Sequence, residues 1–210
     1  MNLKYYYWYF QSAIPERICD EIVRYGKEQN KEIALTGDSQ KDNLTNLEIQ
    51  NIQKKRKSDV VWMSDRWIYN EIQPYIHQAN QSAGWNFDWD FSEACQFTEY
   101  KKGQFYGWHS DSYEEPYDQP DNQNTHGKIR KLSMTVSLTN PEEYEGGDLE
   151  FDFRDTDKGS QPRICEEIRK KGSVIIFPSF VWHRVKPVTK GVRYSLVIWH
   201  NGHPLSLIHI

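Results

Sequence analysis

Cysteine is scarce. The 210 residues hold three, Cys19, Cys95 and Cys165, which are far apart, odd in number and form no CxxC pair. That argues against a disulfide scaffold and against a cysteine-ligated zinc site, and leaves reduced thiols as the expectation. Long apolar runs are missing too, since none approaches the roughly 18 residues a membrane helix needs. The opening MNLKYYYWYF lacks the basic start and aliphatic stretch of a signal peptide. Together these absences predict a cytoplasmic protein with no membrane partner. An excess of one charge is also absent. Lys and Arg number 26 and Asp and Glu 30, for a net charge of −4. A general nucleic-acid or anionic-membrane binder is disfavoured on that balance.

What the chain does have is aromatic side chains. Hydrophobic residues are only 37% of the total, yet Trp, Tyr and Phe make up 14%. Such residues bury large areas each, which argues against disorder. The apolar content is thus small in number and large in size, and part of it could wall a pocket. A length near 200 favours a single domain.

The first 84 residues read as support. KYYYWYF (4–10) predicts an early strand. In SAIPERICDEIVRYGKEQ, Ile14, Ile18, Ile22 and Tyr25 fall at helical spacing, with Pro15 suited to a first turn. LTNLEIQNIQKKRK predicts a short helix, and its KKRK (54–57) reads as a solvated helix end in preference to a nucleic-acid patch. DVVWM (59–63) predicts a strand. DRWIYNEIQPYIHQANQSAG predicts a helix with Trp67, Ile68, Ile72, Tyr75 and Ile76 on one side and a possible kink at Pro74. From residue 85 the texture becomes alternating and Gly-punctuated, which predicts about eight short strands. The polar stretch 113–127 predicts a long functional loop. The fold class is therefore α+β, a jelly-roll core at 85–203 with N-terminal helical support at 1–84 and a tail at 204–210, all in one domain.

The sharpest chemical signal is WHSD, which sets His109 and Asp111 two residues apart, so that on a strand they share a face. His183 follows in FPSFVWHRV. Two histidines and one carboxylate on one face of an octahedron form the facial triad of non-haem Fe(II) oxygenases. Ten residues later Arg193 and Ser195 point to one face of VRYSLVIW, with Tyr194, Leu196 and Ile198 on the other. A buried Arg requires an anion; it is either a salt bridge to a protein carboxylate or the anchor of a carboxylate ligand.

HxD…H with a downstream RxS resembles the Fe(II)/2-oxoglutarate-dependent dioxygenases with a double-stranded β-helix core. The resemblance is strongest to the prolyl 4-hydroxylase type and its PKHD-type branch. It runs through QFTEYKKGQFYGWHSD, RKLSMTVSLTNPEEYEGGDLEF and KKGSVIIFPSFVWHRVKPVTKGVRYSLVIWH, and through SAIPERICDEIV near the start. It implies that His109, Asp111 and His183 bind Fe(II). Arg193 would pair with the distal carboxylate of 2-oxoglutarate, helped by Ser195, with Tyr100 and Trp199 lining the cosubstrate pocket. Tyr106, Trp108 and Trp182 would face the substrate. Gly146, Gly147 and Asp148 would have a structural role, and His77, His126, His200, His203 and His209 match nothing in the pattern.

The implied activity hydroxylates an aliphatic C–H, most naturally of a prolyl residue in a peptide or protein, or of a small amino-acid-like molecule. It consumes O₂ and 2-oxoglutarate, releases succinate and CO₂, and takes ascorbate as a reductant. Asp111 favours hydroxylation, because halogenating relatives lack the carboxylate. An AlkB-type nucleic-acid demethylase is disfavoured, since its pattern has a second Arg where this chain has Trp199. A non-catalytic jelly-roll metal- or sugar-binding module would have no use for Arg193, and a zinc hydrolase would need a nearby general base.

Overall fold

The computed structural model describes residues 4–30, 32–34, 45–153 and 161–204. The early strand is short: β1 covers only Trp8–Phe10, and Lys4–Tyr7 before it is not strand. The predicted Ile periodicity forms α1 (Glu16–Glu28), whose Ile18 and Ile22 are buried together with Ile14 just before it. Strand β2 (Glu32–Ile33) precedes α2 (Asn46–Lys55). A reciprocal capping box starts α2: the Glu48 amide donates to Thr45 Oγ1 and the Thr45 amide to Glu48 Oε2.

At the basic run after α2 the structure departs from the solvated-end reading. Lys54, Lys55 and Lys57 are exposed, but Arg56 opens β3 (Arg56–Lys57) and is only 4% exposed. Helical counting stops at Lys55, and strand alternation turns Arg56 inward. Strand β4 (Asp59–Met63) follows as predicted. Helix α3 (Arg66–Ser82) runs through Pro74, whose ring is exposed, while Ile68, Ile72 and Ile76 are fully buried on the opposite side.

The second half folds as β5 (Phe91–Ser92), β6 (Cys95–Tyr100), β7 (Phe105–His109), β8 (Ile129–Ser137), β9 (Tyr144–Gly146), β10 (Leu149–Asp152), β11 (Arg163–Ile164), β12 (Val174–Pro178), β13 (Trp182–Val185), β14 (Val188–Gly191) and β15 (Arg193–Gly202). That is more strands than predicted, because β5, β9 and β11 are too short to show an alternating pattern. Two antiparallel sheets face each other as a jelly roll. The larger runs β1-β12-β8-β15-β6-β4-β2, with β5 also paired to β15, and the smaller runs β11-β10-β13-β7-β3. Strands β3 and β4, from the N-terminal part of the chain, complete the sheets formed by the later strands.

The larger sheet is buried on both faces, and its alternation separates two environments. Leu132, Met134 and Val136 of β8 join Leu196 and Ile198 of β15 and Phe97 of β6 in an apolar layer under α1 and α3. That layer is tight: a Cβ on Gly26 of α1 would lie 2.7 Å from both Met63 and Phe97. The opposite face carries Ser133, Thr135 and Ser137 of β8 with Arg193 and Ser195 of β15, and looks into the space between the sheets. A second apolar cluster includes Leu149, Phe151, Phe177 and Val185. The polar stretch 113–127 is a folded loop, closed by Tyr117 N–H to Lys128 O and Gly127 N–H to Tyr117 O.

Candidate active site

Strand β7 pairs with β13 so that His109 lies opposite His183, and the register then slips between His183 and Val185. This bulge sets two residues, Gly107 and Trp108, against one, Arg184. Tyr106 and His109 therefore emerge on the same side, and their rings stack 3.5 Å apart. Asp111 lies beyond the end of β7, on a turn whose Asp111 and Ser112 amides both donate to Ser179 O. This turn, rather than strand alternation, brings its carboxylate over His109.

The three side chains converge. Their ligand atoms all lie within 4.8 Å of one another. Asp111 Oδ1 is 3.5 Å from His109 Nε2, and Asp111 Oδ2 is 3.6 Å from His183 Nε2. Each imidazole is oriented from behind: His109 Nδ1 lies 2.8 Å from Gly107 O and His183 Nδ1 2.9 Å from Val181 O. Since a carbonyl only accepts, both Nδ1 atoms carry the proton and both Nε2 lone pairs are free towards the shared point. Ser133 Oγ donates to Asp111 Oδ2 at 2.7 Å and is itself 2.9 Å from Ser179 Oγ. Burial and the neighbouring His109 push His183 down to about 4, so it is a neutral ligand at neutral pH. Burial opposes ionisation of Asp111, but His183 and His109 outweigh it and hold its carboxyl far below the usual range. Two imidazole nitrogens and one fixed carboxylate suit a divalent borderline metal such as Fe(II), which would retain open coordination positions here.

The triad lies in a cavity that opens to solvent, and Tyr100, Arg193, Ser195 and Trp199 share its walls. Arg193 is 3% exposed. Its Nη1 reaches only Ser195 Oγ, at 3.5 Å, and its guanidinium lies 5.5 Å from the Tyr100 ring. Among the described residues no carboxylate forms an ion pair with Arg193, so its buried charge lacks a counter-charge there. Glycine makes room for it: a Cβ on Gly147, at φ +64°, would meet Arg193 Cδ at 3.0 Å. The indole N–H of Trp199 is buried without a hydrogen-bond partner in the same walls. These groups fit an anionic cosubstrate bound beside the metal. Asp111 is the one carboxylate among the described lining residues, so the general base of a zinc hydrolase is missing there.

Two residues expected at the substrate mouth lie elsewhere. Trp108 and Trp182 precede His109 and His183 directly, so strand alternation turns them to the outer face of the smaller sheet, away from the lining residues. Trp108 instead lies 4.6 Å under the Arg184 guanidinium. Conversely, the cavity has walls that sequence reasoning missed: Arg56, Gln96 and Thr135. Arg130 was missed as well. It is held bidentately by Glu93 at 2.7 and 2.6 Å and lies 3.9 Å over the Trp199 ring. Of the unmatched histidines, His77, His126 and His203 are exposed, His200 is buried away from the site, and His209 lies outside the described residues. The described part of the tail ends at Pro204.

The sequence model of the 2OG-Fe(II) oxygenase superfamily matches residues 95–201. A PKHD-type hydroxylase of Alteromonas mediterranea is 38% identical over 104 residues, 49% of this chain and 41% of that protein, so the chain spans less than half of this relative's length. In fold the chain is similar to a prolyl-4-hydroxylase of Pseudomonas putida, with a TM-score of 0.68 at 17% identity over 95% of this chain and 94% of that one. It is also similar to a Trichoplax adhaerens prolyl hydroxylase in complex with a hypoxia inducible factor peptide fragment, with a TM-score of 0.62 at 14% identity over 94% and 84%.

Proposed function

Because the chain belongs to the 2OG-Fe(II) oxygenase superfamily, we propose that it is an Fe(II)- and 2-oxoglutarate-dependent hydroxylase whose substrate is a prolyl residue in a peptide or protein. The observation that carries this reading is the pairing, in one cavity, of a His109–Asp111–His183 donor set with a buried Arg193 that no described carboxylate neutralises. The prolyl part is supported by the names of the relatives and neighbours, one of which was solved with a peptide. The partners that this reading implies are a peptide or protein and O₂. The net charge of −4 speaks against nucleic acid, and no described helix is long and apolar enough to cross a membrane. A cytoplasmic setting is supported by three buried, unpaired cysteine thiols.

Bound Fe(II) and 2-oxoglutarate supply the oxidative chemistry, in which decarboxylation to succinate and CO₂ is coupled to hydroxylation of an aliphatic C–H. The chain's own residues set the geometry. His109 and His183 present Nε2 because their Nδ1 protons are engaged by Gly107 and Val181. Asp111 stays ionised and is held in place by Ser133. Arg193 and Ser195 take the distal carboxylate and so fix the end of the cosubstrate away from the metal. Leu149, Val185 and Val197 give the cavity part of its apolar wall. The test is succinate formation from 2-oxoglutarate, with Fe(II) and ascorbate, across proline-containing peptides and free amino acids. A proline-dependent rise in succinate and a product 16 Da heavier, the mass of the added oxygen, are expected. Succinate formation that ignores every prolyl compound would overturn the substrate class.

A further inference from the structure

Arg56 is the second buried guanidinium of the cavity, and its described partners are neutral. Its Nε donates to Ser58 Oγ at 3.0 Å, its Nη2 to Gln96 Oε1 at 2.6 Å, and its guanidinium lies 4.4 Å from the Tyr106 ring. Among the described residues no carboxylate forms an ion pair with it. Three other sheltered cations do have one: Arg130 has Glu93, Arg184 has Glu150 and Lys128 has Asp90. A guanidinium stays charged at any working pH, and a buried charge without a counter-charge is costly.

The cosubstrate that Arg193 would hold is anchored on a different rung of the sheet from the residue that holds Arg56. Arg193 pairs across the sheet with Tyr100, whereas Gln96, which holds Arg56, pairs with Val197. Those rungs are four residues apart on β6, about 13 Å at strand rise, which is longer than a five-carbon diacid. The described walls carry two guanidinium groups and one carboxylate, and Fe(II) and the 2-oxoglutarate dianion cancel each other, so the loaded cavity keeps one positive charge. The rung of Gln96 is also near the opening. Trp62 lies directly across from Gln96, is 44% exposed, and its ring is 6.2 Å from that of Trp199.

We propose that Arg56 is a specificity-determining residue that binds a carboxylate of the substrate, so that the molecule hydroxylated is anionic close to its reacting C–H. This rests on the reading of the cavity as a metal and 2-oxoglutarate site. It narrows the substrate class to a prolyl compound with its own free carboxylate or with an acidic residue beside the proline.

The test uses the full chain loaded with Mn(II) and N-oxalylglycine, an inert cosubstrate mimic, and measures binding by calorimetry. Matched probes differ only in charge: N-acetyl-proline against N-acetyl-prolinamide, and acetyl-Glu-Pro-Gly-amide and acetyl-Gly-Pro-Glu-amide against their Gln counterparts. In at least one pair the acid should bind about tenfold tighter than the neutral partner, within the reach of one charge-assisted hydrogen-bond pair. Arg56→Gln should abolish that difference, and Arg56→Lys, which keeps the charge, should restore part of it. Equal binding of acid and neutral probes in every pair, or no binding of any probe, overturns the inference while N-oxalylglycine uptake leaves the underlying reading standing. An Arg56→Gln variant that weakens both members of a pair equally, or that weakens N-oxalylglycine itself, overturns it too. Failure of the wild-type protein to take up Mn(II) with N-oxalylglycine overturns the reading and the inference together.

Discussion

Ser133 Oγ donates to Asp111 Oδ2 at 2.7 Å, the same oxygen that lies 3.6 Å from His183 Nε2. The hydroxyl thus fixes which way the carboxylate points before any metal arrives. Both groups are buried, so an unpaired Asp111 would have neither solvent nor hydroxyl to orient it. Removing such an outer-shell partner typically costs about 10–100-fold in metal affinity. Ser133→Ala should weaken Mn(II) or Co(II) binding by that order, measured by titration of the apo protein. Asp111→Ala should abolish it and hydroxylation with it. Metal affinity in Ser133→Ala equal to the wild type would remove Ser133 from the site's support.

Arg193 separates two roles by its lack of a counter-charge among the described residues. If it served the fold, its loss would lower stability. If it serves a ligand, Arg193→Ala should leave the apo melting temperature unchanged or raised, because an uncompensated buried charge has gone. The concentration of 2-oxoglutarate needed should rise steeply, by the equivalent of about 2–5 kcal/mol for a buried charge pair losing one member. Equal losses in stability and in cosubstrate binding would point to a structural Arg.

Gly147 should matter for the same reason. An alanine there faces two penalties: φ of +64° and contacts at 3.0 Å to Arg193 Cδ and Val188 Cγ2. Gly103 has a similar φ of +79° but open space around its missing Cβ. Both Gly→Ala variants should lose about 1 kcal/mol from the backbone conformation. Gly147→Ala alone should also raise the 2-oxoglutarate requirement, by moving the guanidinium. Identical cosubstrate curves for the two variants would show that the glycine does not shape the anchor.

The triad and Arg193 were legible because their spacing carries chemistry, and strand alternation alone put Arg193 and Ser195 on one face. The same alternation should have excluded Trp108 and Trp182, each adjacent to a ligand and therefore on the opposite face. The aromatic surplus only partly walls the cavity, through Tyr100, Tyr106 and Trp199. Arg56 was hidden by its company: within KKRK the charge pattern predicts a solvated end, and only the change from helix to strand at Lys55–Arg56 turns one of the four inward. Arg130 and Ser133 were visible as β8 residues, but nothing in the chain's order tells that β8 neighbours β15, or that the turn at Asp111 reaches back to β8. Those are pairings between residues 22 to 73 positions apart.

His200 gives a prediction about pH that is independent of the metal. Its ring is fully buried beside Trp89, Nδ1 lies 2.9 Å from Ser92 Oγ, and Nε2 has no partner. Burial, assisted by His77, pushes it down to about 3 from an ordinary 6.5. In the unfolded chain the ring takes a proton on acidification through 6.5, while in the folded protein it stays neutral until about 3. The unfolded state therefore binds more protons across that window. The stability His200 contributes is complete above 6.5 and is lost progressively as pH falls towards 3. Replacing it by a group that does not titrate, as in His200→Gln, should reduce the slope of unfolding free energy against pH by up to one proton, about 1.4 kcal/mol per pH unit. Urea unfolding of the metal-free protein at a series of pH values between 4 and 6 reads this directly. His183, depressed to about 4, adds a second proton to the wild-type slope and stays in the variant, so the variant's curve should be shallower but not flat. Parallel curves for the two proteins would mean that His200 is already charged, or already solvated, in the folded state.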